Sequence, residues 1–272
     1  MKICIGIVSW LPSSVEHRRQ RIERFNKTLD ELDKAFGDNV GYLIVSQNWG
    51  NYKLPNKIAK KAQVFSYDKL GILKARKTLR KHFLESDYDY LIMSDDDVMM
   101  KYKDQTVIDN YIKALKDNPQ GFMFLQYGWS LNLCAISRWI YEREDMVDVD
   151  PEKNEGYEDT VFPNLLHYKY PDKEFKVKGI EFIQHKWENR KKVKSTWMNS
   201  KINYGVLRLR SDYIIDEFKK GNFNVEKLKD EAINKIKLQD DTPKYGGIAI
   251  KTILNTETTF TGLPEEYWKD NF

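Results

Sequence analysis

Leu91-Ile92-Met93-Ser94-Asp95-Asp96-Asp97-Val98 is the stretch on which the reading of this chain turns. With Tyr88 and Tyr90 ahead of it, Leu91 to Met93 forms a short, nearly continuous apolar run, which predicts a strand covered on both faces. Three carboxylates follow at once. Adjacent ionised carboxylates repel one another and cost several kcal/mol to desolvate unless a cation or strong donors sit among them. Mg²⁺ or Mn²⁺ supplies that compensation, because a hard divalent ion takes a few carboxylate oxygens and leaves positions open for phosphate oxygens. A solvated acidic turn is the competing reading of these letters.

Upstream, Ile3-Cys4-Ile5-Gly6-Ile7-Val8-Ser9 reads as a central strand that ends at Trp10-Leu11-Pro12. Ser13 and Glu16 suggest a capping box. Ile22, Phe25, Leu29, Leu32 and Phe36 then recur at helical spacing until Gly37, with Arg18, Arg19, Arg21 and Arg24 on the outer, solvated face. Tyr42 to Ser46 and Gln63 to Ser66 read as further strands, the first followed by Gln47-Asn48-Trp49-Gly50-Asn51. A helix from about Lys69 to Leu84 turns Ile72, Ala75, Leu79 and Phe83 inward and leaves Lys74, Arg76, Lys77, Arg80 and Lys81 more exposed. The order β-α-β-β-α-β favours a mainly parallel sheet with helices on both faces, where ligands bind beyond the carboxyl ends of the strands.

Downstream, a helix is expected near Thr106 to Lys116, then strands near Gly121 to Gln126, at Leu131 to Ile136 and at Gly179 to Gln184. Glu158 and Asp159 stand at the start of a helix leading into Val161-Phe162. His185 follows the last strand, and Lys186 with Arg190 to Lys194 makes a basic run. From about Ser200 the texture becomes Lys-rich amphipathic helix. The domain reading is therefore a catalytic α/β unit over 1–198, divided near 100 into a nucleotide half and an acceptor half. A mostly helical C-terminal extension, 199–272, packs against it.

The 272 residues are 41% hydrophobic and 13% aromatic, enough for a substantial core in one large or two small domains. Forty-five basic against 41 acidic side chains leave a formal charge of +4, too near balance for bulk charge to mark a nucleic-acid binder. Cys4 and Cys134 lie in apolar segments and read as reduced core residues. The run from Met1 to Trp10 lacks the basic start of a secretion signal, and no stretch approaches the roughly 20 apolar residues of a membrane span, so a cytoplasmic protein is expected.

The ordered set resembles metal-dependent, nucleotide-sugar glycosyltransferases of the GT-A, Rossmann-like fold. It comprises an N-terminal α/β half ending in Asp-x-Asp, the strand run into Ile136-Ser137-Arg138, the acidic pair of Gly156-Tyr157-Glu158-Asp159, and His185 after the next strand. The resemblance implies that Asp95 and Asp97 hold Mn²⁺ or Mg²⁺ with His185, and that Asp95 also meets the ribose of the donor. It further implies that the donor nucleotide touches Ser9, Trp10, Gln47 and Asp96, and that Lys74, Arg76 and Lys192 neutralise its diphosphate. Asp159 is the expected general base of an inverting transfer, with Glu158 beside it.

Such chemistry needs these parts. Negative charge builds on a departing diphosphate, and an acceptor hydroxyl with a pKa far above 7 needs a carboxylate to take its proton. The expected donor is a nucleoside-diphosphate sugar, UDP-linked on this reading, and the expected acceptor a bacterial surface glycan or teichoic-type polymer. A phage-type enzyme acting on hydroxymethylated pyrimidines in DNA is the alternative, since the arginines at 18 to 24, the basic run and the Lys-rich tail could follow a nucleic-acid backbone. A nucleotidyltransferase is disfavoured because Ser9-Trp10-Leu11-Pro12 is no Gly-rich phosphate loop. A non-catalytic carbohydrate-binding module would leave the acids and the histidine at strand exits unexplained.

Overall fold

The computed structural model describes residues 1–125, 131–146, 158–184 and 219–221, with backbone alone at 158–161, 164 and 181–184. Its first half runs β1 (Ile3–Trp10), α1 (Val15–Phe36), β2 (Val40–Gln47), the short α2 (Asn56–Ala59), β3 (Ala62–Tyr67), α3 (Ile72–Glu85) and β4 (Tyr90–Asp95). Then come β5 (Val98–Tyr102), α4 (Gln105–Asp117), β6 (Phe122–Met123), β7 (Ala135–Ser137), the one-turn α5 (Arg138–Tyr141), α6 (Glu158–Lys169) and β8 (Ile180–Gln184). Six strands form one sheet in the order β3-β2-β1-β4-β7-β6; β1 to β4 are parallel, β7 runs against them, and β6, antiparallel to β7, runs with them again. The chain is thus a mixed α/β fold with a mainly parallel sheet flanked by helices, as its alternation predicts.

Strand parity divides the interior into two cores. Ile3, Ile5, Ile7, Tyr42, Ile44 and Ile92 meet Phe25, Leu29 and Leu32 of α1 and Ile108, Tyr111 and Leu115 of α4 on one face. Cys4, Val8, Leu43, Val45, Leu91 and Met93 meet Leu73, Leu79 and Phe83 of α3 and Tyr141 on the other. Each such side chain contributes roughly 1.5–3 kcal/mol by leaving water, and both free cysteines are buried among them. Gly6 lets α3 sit close on β1: a Cβ there would fall 2.5 Å from Leu91 Cδ1 and 2.8 Å from Leu79 Cδ2.

Three local expectations are corrected. The N-cap of α1 is Ser14, without a side-chain capping bond, and the Glu16 carboxylate accepts instead from Arg19 and Gln20. The chain does not pass from the acids directly to α4, because β5 intervenes and pairs antiparallel with β8, Val98 opposite Gln184, in a separate two-stranded ribbon. Residues 131–134 are not ladder. Regular pairing of β4 with β7 spans Tyr90↔Ser137 to Ile92↔Ala135. Beyond it, Met93 N–H donates to Cys134 O (2.9 Å) and Met93 O accepts from Leu133 N–H (2.6 Å), so two residues face one. Leu133 takes φ 53°, the left-handed conformation of such bulges.

Candidate functional site

The connections from β1 and to β4 diverge. β1 passes through α1 to β2 on one side, whereas β4, reached through α3, lies on the other side of β1. Between their carboxyl ends is the switch point at which open α/β sheets bind ligands. Val8 is in register with Asp95, so Ser9, Trp10 and the three acids all emerge at this rim. Gly6, Val8, Arg76, Leu79, Met93, Ser94, Asp95 and Leu131 line a tight gap beneath it.

The three acids part company according to face. Asp95 shares the α3 face with Leu91 and Met93, where Arg76 Nη2 donates to its Oδ1 at 3.0 Å and Asn132 Nδ2 to its Oδ2 at 2.9 Å. Its backbone N–H donates to Asn132 Oδ1 at 2.6 Å. Asp96 and Asp97 turn to the α1 face. Arg21 grips Asp96 with two prongs, Nη2 to Oδ1 and Nε to Oδ2 (3.2 Å), while its Nη1 donates to Asp97 Oδ2 at 3.3 Å. Side-chain exposures of 26% for Asp95, 1% for Asp96 and 11% for Asp97 make Asp95 the most accessible of the three.

The electrostatics follow from burial. Desolvation pushes the Asp97 carboxyl up to about 6 against the pull of Arg21, and the neighbouring Asp96 and Asp95 charges add to the rise. Burial also works against the Arg21 cation, yet Asp96 and Asp97 raise its affinity for its proton above the ordinary arginine range. Arg21 and Arg76 pair directly with the three acids, and the Arg24 charge also acts on Asp97.

Arg21 does not sit on the outer, solvated face of α1 expected from its spacing but reaches Asp96 and Asp97; Asn132 carries no such signal in the sequence, and Arg76 is not on the exposed side of α3, being 6% exposed. Its spacing carried the signal, since Ile72, Ala75, Arg76, Leu79 and Phe83 form one inward stripe, and a charge on such a stripe needs a buried partner. Arg18, one turn before Arg21, likewise points inward, donating to Asn48 O (2.9 Å) and Trp49 O. α1 thus fastens the loop after β2 with one arginine and the loop after β4 with the next.

Trp10 is 41% exposed at the rim, whereas Trp49 is 8% exposed and packs on Phe25 and Tyr52 while its Nε1 donates to Ser9 Oγ at 3.2 Å. Ser9 is buried beneath that indole. Gln47, also buried, accepts from Leu70 N–H (2.7 Å) and Gly71 N–H (3.2 Å), bracing the loop before α3. Lys74 lies exposed on α3. Glu158 and Asp159 are the first two residues of α6, described by backbone alone. His185, Lys192, Tyr127, Gly128 and Trp129, and nearly all of 199–272 lie outside the described residues.

Among the described residues, no three His, Cys, Asp or Glu side chains converge on one cation position. The donor set nevertheless suits Mg²⁺ or Mn²⁺, which takes one or two carboxylates and completes its shell with water and phosphate oxygens. Asp95 opens to the rim, whereas Asp97 is raised chiefly by burial and already meets Arg21. Asp96, two-pronged and buried on Arg21, is the least available of the three.

No protein-family model and no curated protein matches the chain. Among solved structures, A197 from STIV is 15% identical with a TM-score of 0.40, over 69% of this chain and 87% of that one. A candidate nucleotide-diphospho-sugar transferase from Desulfovibrio desulfuricans G20 is 13% identical with a TM-score of 0.36, over 80% of this chain and 99% of that one. A candidate glucose-1-phosphate thymidylyltransferase from Bacillus anthracis, solved with sucrose, is 13% identical with a TM-score of 0.27, over 44% of this chain and 53% of its own length. Among the described residues, no helix is long and apolar enough to cross a membrane.

Proposed function

We propose that this chain is a glycosyltransferase that takes a sugar from a nucleoside diphosphate and delivers it to an acceptor hydroxyl. The observation that supports this reading best is the placement of Asp95. It is a rim carboxylate at the switch point between β1 and β4, with both oxygens oriented by donors and one face open. Trp10 offers an exposed indole two positions beyond the residue in register with Asp95, suited to stacking on the donor base.

Asp95 and Asp97 are the residues that would hold a divalent cation, with His185 as a third ligand. Its contribution when bound is positive charge beside the leaving diphosphate. His185 is proposed for its place in the sequence directly after β8, whose last residue, Gln184, pairs with Val98. In the transfer, the acceptor oxygen attacks the anomeric carbon as the bond to the diphosphate oxygen breaks, and the acceptor proton passes to a carboxylate. Asp159 in the first turn of α6 is our choice for that base, which makes the transfer inverting.

The test is thermal unfolding with Mn²⁺ alone, with UDP, GDP or TDP alone, and with each pair together. A nucleoside diphosphate should raise Tm strongly only when Mn²⁺ is present, by an amount equivalent to about 2.7 kcal/mol at a hundredfold excess over Kd. Asp95→Asn should abolish that rise. Absence of any metal-dependent nucleotide effect in the unaltered protein would overturn the reading.

A further inference from the structure

We infer that Asn132 is a positioning residue for donor binding: the bulge opposite Met93 aims its carboxamide at Asp95 and fixes the orientation in which that carboxylate meets its ligand. The inference rests on the donor-site reading given above and adds a residue from the segment leading into β7. Asn132 is 1% exposed and pairs with the same residue twice, donating to the Asp95 side chain and accepting from its backbone N–H. An amide can do both at once because its oxygen accepts while its nitrogen donates.

The backbone shows why the carboxamide arrives there. Had the β4–β7 ladder continued past Ile92↔Ala135, successive residues on the two strands would remain opposite each other. Instead Met93 bonds to both Leu133 and Cys134, and the left-handed Leu133 bends the chain between Asn132, beside the acids, and the start of β7. Leu is an uncommon occupant of that conformation. Such strained positions persist where the surroundings over-determine them, and Leu133 is itself buried at 1% exposure.

The clamp has two jaws. Arg76 comes from α3 to Oδ1 and Asn132 from the bulge to Oδ2, so each oxygen accepts one protein donor and retains capacity for a ligand. Arg76 supplies charge. Asn132 supplies direction, because its double bond to side chain and backbone restrains the carboxylate's rotation. A carboxylate free to rotate would have to be ordered at the moment of binding, which weakens affinity without altering the chemistry available.

The experiment measures Mn²⁺-dependent UDP and GDP affinity by calorimetry in the full chain, beside Tm, for Asp95→Asn, Asn132→Ala, Asn132→Ser and the core control Ile136→Ala. Asn132→Ala is expected to weaken nucleotide binding about tenfold or more, with Asn132→Ser between it and the unaltered chain because a hydroxyl keeps part of the pairing. Ile136→Ala, which opens a cavity in β7, should lower Tm while leaving affinity within twofold. If Asn132→Ala does not fold, Asn132→Ser carries the comparison alone, and a loss of threefold or more supports the role. Affinities within twofold in the Asn132 variants, with Asp95→Asn inactive in binding, would overturn the role of Asn132 and leave the donor site standing. Binding unaffected by Asp95→Asn would overturn the donor-site reading, and the positioning role with it.

Discussion

Arg21 of α1 and Asp96, 75 positions further along the chain, meet as a two-pronged ion pair behind the β4 exit. Asp96 is 1% exposed, so this pair is a structural bond and not a surface ornament. Arg21→Ala would leave a buried carboxylate uncompensated and should destabilise the fold by about 3–5 kcal/mol. Urea denaturation checks this. A loss under about 1 kcal/mol would show that water or another cation replaces the guanidinium.

Stability of the metal-free protein should depend on Asp97. Its folded carboxyl, pushed up to about 6 from an ordinary 3.8, binds a proton more tightly than the unfolded chain does. The contribution is therefore fully present below about pH 4 and lost as pH rises through 6. Thermal melts in EDTA should show Asp97→Asn flattening that part of the pH profile, with its advantage over the unaltered chain greatest near pH 7. An unchanged slope between pH 4 and 7 would assign the titration elsewhere.

The two tryptophans near the rim should behave oppositely. Trp49→Ala removes a packed indole and its bond to Ser9, costing about 3–5 kcal/mol of stability. Trp10→Ala should change stability by less than about 0.5 kcal/mol yet weaken nucleotide binding by roughly 1–3 kcal/mol if its face stacks on the base. Chemical denaturation and calorimetry on both variants separate the roles, and equal effects in both assays would remove Trp10 from the site.

Gly6→Ala should cost about 1–3 kcal/mol, because the new methyl must displace Leu91 and Leu79 in a filled core. Since Leu79 lines the same gap as Arg76 and Asp95, metal-dependent nucleotide affinity should fall as well. A fully stable Gly6→Ala protein would mean that α3 retreats from β1 without loss.

The parallel half of the fold was legible because its strands are covered on both faces and its helices carry clean apolar stripes; Ile3 to Ser9 and Phe25 to Phe36 declare their elements without help. The acids at the β4 exit were legible for the same reason, as a charge run stopping a buried strand. What periodicity could not convey is where long side chains end. Arg21 reads as outer surface by position, but its length carries the guanidinium across to Asp96. Nor could it convey β5, whose partner is β8, some eighty positions away, or the bulge at Leu133, since left-handed backbone is advertised by glycine and here the residue is leucine.

The ribbon of β5 and β8 begins only two residues after β4 ends, for Asp96 and Asp97 are all that separate Asp95 from Val98. The acidic turn is therefore also an elbow without slack, joining the large sheet to the small one. α1 braces that elbow from outside, since Glu31 accepts from the Met100 N–H of β5 at 3.2 Å while Arg21 holds Asp96, so one helix sets the angle at which the charged turn leaves the sheet.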